Sequence, residues 1–454
     1  MIIKKAKALA FAAMVLIAGF LVVTMVATAI KAAKSDVGAL RRLPDGSTLL
    51  LREAVFTATN SYTYTHQSGN KLLRFLAPIL PGSIARRFNL AGGSFGFGID
   101  GNTNLIVITV NRSGSSSRGS SVGRLQVFDN PTNAFDACWG ANTLGLPTET
   151  VHGWTVRAFP RRGRFITLRL LMDPDGVWTQ ATDFRIQNPL HSDFPQWTAE
   201  SSPIRKADGD LGVTLSEFQC GAPMARRRPV APGSILPRKT RLVFAFDEQQ
   251  HPSDNWRVQK LTISDATGNC WSPYLDFVDQ DFNWSTNGTV EFFGALWPAE
   301  NAWKLDLEVI QTGGFKPVDL WEIPIELPVA AQVTSLTNFW NHEGHSITLV
   351  ALAAPNTDHA GDFKWVAKWW GQDRNSVYSL ALKTDGDFNG WRLTVVRAVD
   401  QTGAEVKLVQ HGNQDYPKQA VFLKPGEGAK VVRLTLALQK SRFVHFLAHP
   451  QFVE

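Results

Sequence analysis

Cysteine is scarce: Cys138, Cys220 and Cys270 are the only three in 454 residues. That scarcity excludes a disulfide-dense framework and a four-cysteine zinc site. Cys220 and Cys270 fall in one expected domain, so they either pair or stay as small buried thiols, and Cys138 is left over in both cases. Charge is sparse too, 19% against 44% hydrophobic residues, which is the balance of a folded chain. Signatures of common chemistry are missing as well. There is no phosphate-cradling G-x-x-x-x-G-K-[ST] loop, no G-x-G-x-x-G between a strand and a helix, and no nucleophile elbow at a strand-to-helix turn. The sequence therefore leans away from an enzyme.

The net charge of +6 is confined to one end. Residues 1–42 hold Lys4, Lys5, Lys7, Lys31, Lys34, Arg41 and Arg42 against Asp36 alone, and the rest of the chain is balanced. No basic stripe runs through the body, so nucleic acid is not an expected partner. Residues 8–30, "ALAFAAMVLIAGFLVVTMVATAI", carry no charge. A helix of that length rises about 34 Å, enough to cross the hydrocarbon core of a bilayer. A cleaved signal peptide is the rival reading, with Ala27-Thr28-Ala29 as the cleavage site, but its apolar region would be unusually long. The expectation is an uncleaved single-pass anchor, with the body outside the cytoplasm.

Helix signals are nearly absent beyond that segment. Trp (15), Phe (28) and short alternating runs dominate, as strands require. One motif occurs twice: "WRVQKLTISDATG" at 256–268 and "WRLTVVRAVDQTG" at 391–403. Matching strands precede both copies, at 241–246 and 377–382 and, further back, at 212–218 and 345–352. A degraded third copy places Asp129 of "GRLQVFDNP" where the others have Asp265 and Asp400. Similar strands close the copies: "TDFRIQNP" (182–189), "LWEIPIELP" (320–328) and "FVHFLAHP" (443–450). The fold expected is therefore all-β: an N-terminal transmembrane helix, then three tandem antiparallel β-sandwich (immunoglobulin-like) domains. The boundaries expected are 1–43 for the anchor and its basic flank, 44–190 with an inserted segment 66–93, 205–328, and 340–454. Trp256 and Trp391 should fill equivalent core positions, with Asp265 and Asp400 in tight turns.

Three clusters could carry binding. "FKWVAKWWGQ" (363–372) sets Trp365, Trp369 and Trp370 beside lysines, flat surfaces that could stack on sugars or anchor a protein. Core filling is the competing role. Asp385, Asp387, Asn389 and Gly390 match the first positions of a calcium loop, but Val396 stands where its bidentate Glu belongs. A turn that binds no cation is the plainer reading, as it is for Asp279, Asp281 and Asn283. "NHEGHS" groups His342, Glu343 and His345 without the spacing that puts two ligands on one helical face, and a linker is expected there. The functional expectation is a membrane-anchored binding or scaffolding module of the cell envelope, with a protein or polysaccharide partner. The alternatives are a carbohydrate-binding protein using the exposed tryptophans and a hydrolase with an inter-domain site.

Overall fold

The computed structural model describes residues 35–59, 61–67, 92–98, 104–112, 122–128, 138–145, 149–172, 179–223, 238–273, 284–285, 288–292, 296–328, 333–342, 345–355, 377–385, 390–412 and 418–453. Among them the chain is all-β, with antiparallel sheets and a single short 3-10 turn, Pro317–Asp319. No helix among the described residues is long and apolar enough to cross a membrane. Residues 8–30, where the sequence places such a helix, lie outside them.

The first unit contains β1 (Leu40–Arg42), β2 (Thr48–Thr57), β3 (Ser61–Gln67), β4 (Gly92–Gly98), β5 (Asn104–Arg112), β6 (Val122–Phe128), β7 (Cys138–Gly145), β8 (Glu149–Val156), β9 (Phe165–Met172) and β10 (Thr179–Gln187). A five-stranded sheet, β1-β2-β5-β8-β7, faces a three-stranded sheet, β10-β9-β6. Leu49, Leu105, Val107 and Trp154 of the large sheet pack with Leu125, Val127, Leu168 and Phe184 of the small one. Side chains alternate along a strand, so Ile106, Ile108 and Val110 face the other way. The hairpin β3-β4 covers them with Tyr64 and Phe97. Strand β5 is thereby buried on both faces, which is why its sequence is a near-continuous apolar run. The hairpin approaches closely at Gly153, where any Cβ would lie 2.3 Å from Phe95.

The second unit follows with β11 (Ile204–Asp208), β12 (Leu211–Pro223), β13 (Arg238–Glu248), β14 (His251–Pro252), β15 (Trp256–Asp265), β16 (Cys270–Trp271), β17 (Trp284–Ser285), β18 (Thr289–Phe292) and β19 (Trp303–Gln311). The chain continues through β20 (Leu320–Glu326), β21 (Val333–His342), β22 (His345–Ala353), β23 (Tyr378–Asp385), β24 (Trp391–Asp400), β25 (Lys407–Gly412), β26 (Lys418–Lys424), β27 (Val431–Lys440), β28 (Arg442–Ala448) and β29 (Gln451–Phe452). Large sheets β11-β12-β13-β18-β17 and β21-β22-β23-β26-β25 repeat the strand order of the first unit's large sheet. Corresponding strand pairs even share a bulge: the register shifts at Leu51/Glu53 in β2, Leu215/Glu217 in β12 and Leu349/Ala351 in β22. The internal repeat is visible in the strand pairing itself.

The small sheets depart from expectation in one respect. In the first unit the closing strand β10 pairs with its chain neighbour β9. The segment 320–328 was expected to close the second copy in the same way, and 443–450 the third. Instead β20 pairs with β27, and β28 pairs with β19. The small sheets are thus β16-β15-β19-β28 and β20-β27-β24. Val444, Phe446 and Ala448 join the second unit's core, while Ile323, Ile325 and Leu327 join the third's. The spans 205–328 and 340–454 are each crossed by these pairings. The cause is local: Ser441 alone separates β27 from β28, and one residue cannot reverse an antiparallel chain.

Candidate functional site

The repeated motif supplies the clearest geometry. Asp265 and Asp400 each end a strand and start the same three-residue connection. Asp265 Oδ1 accepts from Thr267 N, Thr267 Oγ1 and Asn269 N at 2.9, 2.7 and 3.0 Å. Asp400 Oδ1 accepts from Thr402 N, Thr402 Oγ1 and Ala404 N at 2.8, 2.6 and 3.0 Å. Gly268 and Gly403 follow with φ of 89° and 85°, a conformation that strains any residue with a Cβ. The motif is therefore a type I turn with a glycine bulge, tied by an aspartate. The Thr402 hydroxyl and three backbone amides hold the Asp400 carboxyl below the usual carboxylate range.

The two turns have opposite surroundings. The Asp265 turn is buried against residues 158–162 of the first unit. Asn269 Nδ2 donates to Phe159 O at 2.9 Å, Phe159 N donates to Asn269 Oδ1 at 3.3 Å, and Arg161 Nη1 donates to Thr267 O at 3.2 Å. Beside it, Arg162 grips Glu300 with two bonds, Nε to Oε1 at 2.7 Å and Nη2 to Oε2 at 2.9 Å. The Asp400 turn is exposed. Position 269 is matched by Ala404, which has no side-chain amide to offer a neighbouring backbone. The Asp265 turn thus docks on the first unit through Asn269, while the Asp400 turn bonds only within its own unit among the described residues, through Gln401 to Gly428, Lys430 and Val431.

The motif's leading Trp-Arg pairs differ as well. Trp256 is 6% exposed and donates Nε1 to Glu248 Oε1 at 2.7 Å. Trp391 is only half-buried, so the expected equivalence in burial is not met. Their registers do match: Trp256 faces Gln311 and Trp391 faces Lys440, each at the end of the neighbouring strand. Trp391 stands where the third unit meets the second, and its neighbour Arg392 crosses that junction to reach Glu308 at 2.8 Å.

A second polar constellation lies under the hairpin of the first unit. Tyr64 Oη and His66 Nδ1 are 3.1 Å apart, His66 Nε2 and Glu149 Oε1 are 2.6 Å apart, and Arg112 Nε donates to Glu149 Oε2 at 3.2 Å. Burial alone would raise the Glu149 carboxyl, but the bonds from His66 and Arg112 outweigh it and hold it below the usual range. Burial, helped by Glu53, pushes the Tyr64 hydroxyl up. Tyr64, His66 and Glu149 are buried, at 4%, 8% and 6% exposed, and latch the hairpin to the sheet, while Arg112 closes the chain of groups from the solvent side. Sequence reasoning missed it because His66 and Glu149 are far apart in the chain, and only the packing of the β3-β4 hairpin on the face of the large sheet brings them together.

On the inner face of the same sheet, His152 stacks on Trp154 with centroids 6.0 Å apart. Its Nδ1 lies 3.3 Å from Thr143 Oγ1, while Nε2 has no hydrogen-bond partner among the described residues. Burial depresses its pKa to about 4, so the ring is neutral at pH 7. The unfolded chain takes up a proton near 6.5 and the folded one does not. Stability from this group is therefore complete above that value and is lost as pH falls toward 4. The full loss is about 3 kcal/mol, taking about 1.4 kcal/mol per pKa unit. Wild-type and His152→Gln denaturation midpoints compared at pH 7.5 and pH 4.5 test this: the wild-type should lose more of its stability on acidification. Equal pH slopes would count against it.

Trp365, Trp369, Trp370, Asp387, Asn389, Asp279, Asp281, Asn283 and Asp129 lie outside the described residues. Asp385 ends strand β23. His342 and His345 are cross-strand partners at a hairpin turn, not a linker. No group of three or more His, Cys, Asp or Glu that could hold a metal occurs among the described residues. Cys220 and Cys270 are free thiols on different sheets, and burial pushes the Cys220 thiol up to about 12. A G-x-S-x-G match at 92–96 lies inside strand β4 rather than at a strand-to-helix turn. No family model, curated protein or solved structure matches this chain.

Proposed function

We propose that the chain is a membrane-anchored, extracytoplasmic binding or scaffolding module of the cell envelope, held by residues 8–30 and built of three tandem immunoglobulin-like sandwiches. The observation that carries this reading is the unequal use of the twin turns. One copy is spent on joining the first unit to the second, and the other is left exposed on the third unit. A motif that recurs as a connector has a structural explanation. The exposed turn of the third unit is then the surface offered to a protein or polysaccharide partner.

The anchor half of the proposal is tested by fractionation. The full chain should sediment with membranes, a variant lacking residues 8–30 should not, and protease added to intact cells should cut the body. Full-length protein in the soluble fraction, or a body cleaved only after lysis, would overturn it.

A further inference from the structure

We infer that the reciprocal exchange of β20 and β28 makes the second and third units one cooperative folding unit, to which the first is joined by loop contacts but with which it exchanges no strand among the described residues. In the first unit the closing strand stays home, Gln187 pairing with Phe165 and Thr179 with Met172. In the other two the same edge position is filled by the other unit's strand. Glu326 pairs with Val431 and Leu320 with Ala437, while Val309 pairs with Arg442 and Trp303 with Ala448. The chain therefore crosses the junction twice, once through residues 312–319 and once along the near-continuous strand 431–448.

The crossing point is built from buried polar groups supplied by both sides. Glu308, 5% exposed, accepts from Arg392 Nη2 at 2.8 Å through Oε2 and from Ser441 Oγ at 2.6 Å through Oε1. Gln311 N donates to Gln439 Oε1 at 2.6 Å, and Gln439 Nε2 donates back to Gln311 O. Ser441 N donates to Gly390 O at 2.6 Å. Beyond the crossing, β28 is fixed along its outer edge: Glu200 N donates to Leu447 O at 2.8 Å. The last residues then pass to the opposite sheet, where β29 runs parallel to β12 and Val453 N donates to Cys220 O at 2.8 Å. The segment that leaves the third unit thus seals both sheets of the second. If the third unit opens, Glu308 loses its cation and β28 loses the rigid strand that positions it. Disturbance of the third unit is in this way transmitted to the second unit's core.

Hydrogen exchange read by mass spectrometry on the full chain tests the coupling. Leu434 is fully buried on β27, and Leu434→Ala weakens the third core alone. Amides of β19 and β28 are expected to exchange at least tenfold faster in that variant, with β9 and β10 unchanged. Leu168→Ala in the first unit should leave β19 and β28 at wild-type rates. If Leu434→Ala does not fold, the milder Ile323→Val on β20 gives the same readout in smaller measure. Wild-type protection of β28 above a destabilised third unit would overturn the inference. So would equal acceleration by Leu168→Ala, because coupling would then not arise from the exchange.

Discussion

Replacing Glu300 by Ala is expected to destabilise the joint between the first and second units by about 3–5 kcal/mol, the cost of leaving a buried charge unpaired. Glu300 is 1% exposed, and its whole carboxylate is engaged by Arg162 Nε and Nη2. The remaining Arg162 capacity goes to carbonyls, Nη1 to Phe194 O at 3.0 Å and Nη2 to Pro195 O at 2.7 Å. Removing the acid strands a guanidinium among carbonyls with no counter-charge. Arg162→Lys should recover little, because a single ammonium cannot reproduce the forked contact. Equilibrium denaturation followed by tryptophan fluorescence is the measurement. A loss below about 1 kcal/mol would place this pair with ordinary surface bridges and remove it from the account of the joint.

Glu308→Ala is the second large effect, again about 3–5 kcal/mol by the same reasoning. Here two donors from different places, Arg392 and Ser441, converge on one carboxylate. Glu308→Gln should retain the serine contact through its amide oxygen and lose mainly the ionic component, giving a smaller deficit. As a control, Asp247→Asn breaks an exposed bridge to Arg205 and should leave the midpoint essentially unmoved, since exposed pairs contribute little. Equal losses for Glu308→Ala and Asp247→Asn would show that the junction groups do not hold the second and third units together.

The tie between the two predictions lies in the repeat. The first junction uses Asn269 beside one motif copy, and the second uses Arg392 of the other. Arg392 lies within its thirteen-residue copy, whereas Asn269 directly follows the other. Asn269 and Ala404 are legible as a difference in sequence, but nothing in the sequence says that one amide would face the loop at 158–162. The latch of Tyr64, His66, Glu149 and Arg112 was illegible for the same reason. Its members come from three strands, and isolated polar residues in alternating runs give no sign of whether they meet.

Composition and periodicity by themselves determined the all-β class, the strand positions, the repeat, and the aspartate-tied turns, because each depends on contacts within a few residues or on side-chain alternation. The closing strands show where that stops. "LWEIPIELP" and "FVHFLAHP" have matching patterns, and either would fit the edge of β19 or of β27. Which edge each joins is decided by the chain between β27 and β28, too short at Ser441 to turn back, and by the buried groups that collect there. Partner choice among interchangeable strands is a property of tertiary packing, since local pattern rewards burial equally on both edges.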